Sequence, residues 1–260
     1  MIKLIATDMD GTLLSDTGNI NQKIFGLIHD LNDKNIKFAA ASGRFYSQLS
    51  VNFKKVNTKM IFIAHNGALI KYNHQGKTLY SNNIAKEEIE HVINLNPKLG
   101  EEVFLAGENE AFLVNPSKVI FNELTGVDVP VVKLSSFSEL KSPIYKITYY
   151  MAGGVTSAIV NHLKEKLDDK LEFVVSGGKF IDIMNKGISK GSAIKILQEK
   201  FKIDQKSTMV FGDYYNDLTM FKAAHYSYAM KNAPEDVKEH AKFIAESNNN
   251  DGVYNVIALL

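Results

Sequence analysis

The chain contains no cysteine. That absence removes disulfide bridges, thiolate catalysis and cysteine-ligated zinc together, and it fits a reducing, cytoplasmic setting. An excess of charge of either sign is lacking too: 30 basic and 29 acidic side chains leave a formal charge of +1. No basic surplus points to nucleic acid, and no acidic run suggests a solvated tail. No apolar stretch reaches the roughly 20 residues of a membrane-spanning helix. The first apolar run, residues 2–7, is short and leads into Asp8, unlike a signal peptide or an anchor. No Gly-x-Gly-x-x-Gly follows any apolar run, so a dinucleotide-binding oxidoreductase has no support. What is present is ordinary for a globular chain: 45% hydrophobic and 23% charged residues in 260, enough for one large domain or a core with an insertion.

Residues 2–7, 36–41 and 60–64 are short, nearly continuous apolar runs, as expected of strands buried on both faces of a parallel sheet. Between the first two, Ile24, Leu27, Ile28 and Leu31 mark one face of a helix over about residues 21–34. Strand, helix, strand, helix, strand is the pattern of a doubly wound sheet. From about residue 83 the apolar runs come in pairs instead. Residues 103–106 and 111–114 flank a polar tetrapeptide, and residues 172–175 and 180–184 flank Ser-Gly-Gly-Lys, a hairpin signal. A further strand is expected over 144–150 and a helix over 155–167. From Ser189 the alternation of helix and strand returns and runs to the end. The expected architecture is α/β: a parallel-sheet core from residues 1–82 and 187–260, with an inserted α+β domain over residues 83–186.

In open α/β sheets ligands bind beyond the carboxyl ends of the strands, and here the polar residues gather at those ends. One strand ends in Asp8-Met9-Asp10-Gly11-Thr12, the next in Ser42-Gly43-Arg44, and a later one in Gly212-Asp213-Tyr214-Tyr215-Asn216-Asp217. In extended chain Asp8 and Asp10 point the same way, and Asp213 brings a third carboxylate. At about 4 Å each like-charge pair costs roughly 4 kcal/mol at an effective dielectric of 20, so the cluster calls for a cation. Oxygen donors without histidine or cysteine favour a hard ion, Mg2+ foremost. Ser42 before glycine at a helix start offers a hydroxyl and backbone N–H groups to an anion. Lys190, at the start of a helix, adds a second cation. These are the parts that phosphoryl transfer uses, and aspartate is a known nucleophile in it. Taken singly, Ser42 reads as a helix cap, Lys190 as a solvated lysine and Asp213 as a turn former. Only their joint occurrence argues otherwise. Arg44 and His65 keep structural readings, a salt bridge and a hydrogen bond.

Those segments, together with Asn66-Gly67 and Ser189-Lys190-Gly191, occur in an order and spacing that resembles the haloacid dehalogenase (HAD) superfamily of phosphohydrolases. Within it they resemble the Cof-type sugar-phosphate phosphatases. The resemblance covers essentially the whole chain and implies a Rossmann-like core with a C2-type cap. It implies that Asp8 is the nucleophile and a metal ligand. It further implies that Asp10 gives its backbone carbonyl to Mg2+ and keeps its carboxyl for acid and base work, and that Asp213 completes the metal ligands. The phosphoryl oxygens would be held by Ser42, Lys190, Asn216 and the backbone of Met9 and Gly43, with Asp217 orienting Lys190 or a metal-bound water. The substrate implied is a small phosphorylated metabolite, for a protein that is a monomer or homodimer. A phosphomutase or phosphotransferase using the same aspartyl-phosphate, and a non-catalytic relative that binds phosphorylated ligands, are the alternatives.

Overall fold

A computed structural model describes residues 1–99, 102–176 and 178–260. Along the chain run β1 (Leu4–Asp8), α1 (Lys23–Asp33), β2 (Lys37–Ala41), α2 (Tyr46–Asn52), β3 (Ile61–Ala64), β4 (Leu69–Tyr72) and β5 (Thr78–Ser81). There follow α3 (Lys86–Leu99), β6 (Glu102–Ala106), β7 (Ala111–Val114), α4 (Lys118–Thr125), β8 (Val131–Leu134), β9 (Lys146–Tyr150), α5 (Ser157–Lys166), β10 (Leu171–Ser176) and β11 (Phe180–Asn185). The chain ends through α6 (Lys190–Phe201), β12 (Thr208–Gly212), α7 (Leu218–Ala223), β13 (Tyr226–Met230), α8 (Glu235–Lys238), β14 (Phe243–Ala245) and α9 (Gly252–Ile257). Two compact units result. One comprises Met1–Arg44, Leu49–Ser81 and Ile188–Leu260, the other Phe45–Gln48 and Asn82–Gly187.

The first unit is an eight-stranded sheet in the order β14-β13-β12-β1-β2-β3-β4-β5. Its first six strands are parallel, and β4 and β5 add an antiparallel edge. Every residue of β1 and β12 is buried, which is why these strands read as unbroken apolar runs rather than alternating ones. Leu4, Ala6, Ala39, Ile61, Ile63 and Val210 form one core face with Ile194 and Leu197 of α6 and Met220 and Phe221 of α7. Ile5, Phe38 and Phe62 alternate with them and are equally buried on the other side, and α1 buries Ile24, Ile28 and Leu31. Each of the larger side chains among them contributes about 1.5–3 kcal/mol. Strand order reverses between β1 and β12, so the carboxyl ends of those two strands, at Asp8 and Gly212, flank the switch point.

The second unit is a six-stranded sheet in the order β10-β11-β9-β6-β7-β8. All pairs are antiparallel except β7 with β8. Neither α4 nor β8 was foreseen from the sequence; α4 carries the chain back, so β8 lies parallel to β7. Leu105, Ile147, Tyr149, Ile181 and Leu163 cluster on one face. Phe104, Ala106, Ile120, Leu124 and Tyr150 cluster on the other. On the second face Asp182 accepts from Lys146 Nζ at 3.1 Å and from Thr148 Oγ1 at 2.7 Å, a buried pair satisfied within the sheet. α5 begins at Ser157 rather than at 155, because the Thr156 side chain accepts the N–H of Ile159 and sets the helix start. Phe45–Gln48 belongs here through backbone and side-chain bonds to Glu108, Asn109 and Val127. Among the described residues no helix is long and apolar enough to cross a membrane.

Candidate active site

Three strand ends and one helix start of the first unit build the site. Asp8 closes β1 and is buried. The chain then turns at once. The Met9 carbonyl accepts the N–H groups of Thr12, Leu13 and Leu14, and Gly11 takes a φ of +74° that a side-chain-bearing residue rarely adopts. The Met9 side chain is buried, so this position offers the site only its backbone.

Asp10 therefore does not lie beside Asp8, as an extended chain would place it. Its carboxylate turns outward and forms a two-pronged ion pair with Arg44: Nη2 to Oδ1 at 2.5 Å and Nε to Oδ2 at 2.9 Å. The place foreseen for it beside Asp8 is taken by Asp217. Asp8, Asp213 and Asp217 each bring a carboxylate oxygen within 4.8 Å of the others.

Lys190 joins two of these three. Its ammonium donates to Asp8 Oδ1 at 2.5 Å and to Asp217 Oδ1 at 2.7 Å, and all three side chains are buried. It stands at the first position of α6 because Ser189 and Ser192 cap that helix reciprocally, Ser189 Oγ accepting the Ser192 N–H and Ser192 Oγ the Ser189 N–H. Gly191 lets this start approach α7, since a Cβ there would collide with the carbonyl group of Thr219. The second oxygen of Asp217 accepts the backbone N–H groups of Asp213 and Tyr214 at 2.9 and 3.1 Å. Asp217 thus has both oxygens committed to protein donors. Asp213 accepts from Thr12 Oγ1 at 2.7 Å, a contact that the sequence reading missed.

The electrostatics follow from crowding and burial. Burial above all, and then Asp217, push the Asp8 carboxyl well above the ordinary carboxylate range, against the pull of Lys190. Burial likewise pushes Asp213 up to about 6, while the Thr12 hydrogen bond pulls it down and Asp217 adds to the rise. Burial works against the Lys190 ammonium, but Asp217 and Asp8 outweigh it and its pKa is raised. Bare carboxylates this close repel one another, and a hard cation fits such an all-oxygen donor set.

Ser42, after β2, is buried, and its Oγ accepts the Arg44 N–H at 3.2 Å, leaving its hydroxyl proton to donate. Gly43 follows it, and a Cβ there would press on the carboxamide of Asn66, 3.1 Å from its oxygen. Asn216 is half-buried in the 3-10 turn Tyr215–Asp217, between Asp213 and Asp217 in the chain. The structure thus brings Asp8, Asp213, Asp217, Lys190 and Thr12 into direct contact. It places Met9, Ser42, Gly43 and Asn216 in the segments adjoining them, and it turns the carboxylate of Asp10 toward Arg44. Thr12 carried a signal all the same: a hydroxyl four residues past Asp8, in the loop at the switch point.

A family model described as haloacid dehalogenase-like hydrolase matches residues 5–257. The chain is 30% identical to the 5-amino-6-(5-phospho-D-ribitylamino)uracil phosphatase YbjI of Escherichia coli (strain K12), over 98% of this chain and 95% of that one. A solved structure from Streptococcus mutans UA159 matches it with a TM-score of 0.88 at 32% identity, covering 100% of this chain and 98% of the other. One from Thermotoga maritima does so with a TM-score of 0.85 at 27% identity, again covering 100% and 98%.

Proposed function

Because the chain belongs to the haloacid dehalogenase-like hydrolases, we propose that it is a Mg2+-dependent phosphatase of small phosphorylated metabolites, working through an aspartyl-phosphate on Asp8. The observation that carries this reading is the buried Lys190 ammonium bridging Asp8 and Asp217, with Asp213 alongside. A carboxylate nucleophile needs a neighbouring cation to approach a phosphate dianion, and Lys190 supplies one without water between them.

In the first half-reaction an Asp8 oxygen attacks phosphorus while the bond to the leaving oxygen breaks, and the Asp10 carboxyl gives that oxygen a proton. In the second, the Asp10 carboxylate takes a proton from water. The water oxygen attacks phosphorus, the bond to Asp8 breaks, and inorganic phosphate leaves. Asp10 has to part from Arg44 for either step. A phosphate dianion arriving near the guanidinium offers it a second anionic partner, which supports that exchange. Ser42, Asn216 and the backbone N–H groups of Met9 and Gly43 would hold the phosphoryl oxygens. Asp8, Asp213 and the Asp10 carbonyl would hold Mg2+, which when bound offsets the negative charge of the phosphoryl group. Asp217, with both oxygens engaged, would orient Lys190.

The substrate reading is a sugar or polyol phosphate. The E. coli relative is named for a phosphorylated ribityl compound. The test is hydrolysis of an aryl phosphate and a panel of phosphorylated sugars and polyols, with Mg2+ and after rigorous chelation. Turnover undiminished by chelation would remove the metal from the reading, and wild-type turnover in Asp8→Asn would remove the covalent step.

A further inference from the structure

The loop after the nucleophile is held from outside the motifs described so far. Asn232 stands two residues past the end of β13, at the carboxyl edge of the sheet. Its carboxamide nitrogen donates to the carbonyl oxygen of Gly11 at 2.8 Å, and its carboxamide oxygen accepts the backbone N–H of Asn248 at 3.1 Å. A carbonyl can only accept and a backbone N–H can only donate, so the two partners fix the orientation of this carboxamide. Asn248, after β14, is buried and donates to the Leu14 carbonyl oxygen at 3.0 Å and to Asp16 Oδ1 at 2.9 Å. Asn249 donates to Asp16 Oδ2 at 2.7 Å and accepts the Asp16 N–H at 3.0 Å. Two chain segments far from Asp8 in sequence thus grip residues 11–16 through side-chain amides.

The grip at Gly11 matters most. The Gly11 carbonyl lies in the peptide plane that leads to Thr12, and the peptide before it leads from Asp10. Thr12 hydrogen-bonds Asp213, and the positive φ of Gly11 sets the direction in which the chain leaves Asp10 for Thr12. A peptide plane free to rotate here would carry Thr12 off Asp213 and shift the Asp10 carbonyl together. We propose that Asn232 is a positioning residue for hydrolysis: by holding the Gly11 carbonyl it keeps Thr12 in place against Asp213 and holds the backbone at Asp10 steady. The catalytic consequence rests on the phosphatase reading above, whereas the effect on the loop does not.

Asn232→Asp separates the two bonds. A carboxylate still accepts the Asn248 N–H but cannot donate to Gly11. Asn232→Ala removes both bonds without adding charge. The measurements are kcat and KM for an aryl phosphate at saturating Mg2+, the melting temperature, and amide hydrogen exchange of residues 9–14 in metal-free protein. Both variants should lose about 10–100-fold in kcat, the usual cost of removing a support of this kind. KM should stay within about twofold, because the phosphate-holding groups are untouched. Exchange over residues 9–14 should quicken about fivefold, the factor that one ordinary hydrogen bond supplies. Wild-type kcat in Asn232→Asp would overturn the proposal, as would unchanged exchange in both variants or a loss confined to melting temperature. Wild-type activity that ignores Mg2+ would sink the metal reading alone, and the exchange comparison would still decide the role of Asn232.

Discussion

Replacing Lys190 with methionine keeps the length of the side chain and removes its charge. In the folded protein that charge lies 2.5 Å from Asp8 and 2.7 Å from Asp217, with all three groups out of water. Each contact is worth about 6 kcal/mol of Coulomb attraction at an effective dielectric of 20. Desolvation of the ammonium takes back much of this, so the expected loss is that of breaking a buried pair, about 3–5 kcal/mol. For a chain of this size that corresponds to a fall in melting temperature of about 6–20 °C in EDTA at pH 7.5. At pH 4.5 the deficit should shrink, because Asp8 and Asp213, both with raised pKa, then carry protons and no longer need the ammonium. Saturating Mg2+ should recover part of it: at 100 times Kd a bound ligand adds about 2.7 kcal/mol. Turnover should not recover, since on the proposed mechanism the charge beside Asp8 acts in the ground state and the transition state alike. Lys190→Arg should fare little better, because a planar fork does not fit a position shaped around a compact ammonium. The assays are thermal melts in EDTA and in Mg2+ at both pH values, and steady-state kinetics. A Lys190→Met protein with the melting temperature and kcat of wild type would refute the reasoning from buried charge.

A carboxyl whose pKa is higher folded than unfolded binds more protons in the native state, so its contribution to stability is greatest at low pH and is lost as pH rises through the folded value. For Asp213 that window runs from about 4 to about 6; metal-free wild type, compared with Asp213→Asn by denaturant midpoint, should lose stability across it, and a wild type that gains on the variant as pH rises would contradict the assignment. Gly191→Ala sets a Cβ against the Thr219 carbonyl group, so it should destabilise by about 1–3 kcal/mol and lower kcat by displacing Lys190; a neutral melt would show that α6 and α7 have room to part. Thr12→Val keeps shape but removes the donor to Asp213 Oδ1, so Mg2+ affinity measured by calorimetry should fall about tenfold, and unchanged affinity would mean that Thr12 does not orient Asp213.

How much was readable before folding varied by element. β1, β2, β3 and β12 were legible because a strand buried on both faces must be apolar throughout, and such runs need no partner to be recognised. The parallel pairing of β7 with β8 was not, since two short apolar segments read equally well as a hairpin until the path of α4 between them is known. Helix starts moved where a side chain capped the backbone, as at Thr156. In the site, Asp8, Asp213 and Lys190 could be picked out because the carboxyl ends of parallel strands share one edge of a sheet. Thr12 and Asn232 escaped notice because a lone hydroxyl or amide in a loop is common, and only its partner makes it informative.

The amino-acid sequence by itself determined the parallel core, the order of its chemical groups along one edge, and the resemblance to a family that the comparisons then bore out. These depend on residue type and local spacing, which folding does not change. Only the tertiary structure decided which groups meet. The turn after β1 leaves the Asp10 carboxylate to Arg44, while Asp217, 209 residues further on than Asp8, lies beside Asp8 instead. The caps and close packing around α6 bury the Lys190 ammonium between two carboxylates, where its charge is no longer screened by water. Contact and desolvation are properties of distance in space, and distance along the chain does not determine them.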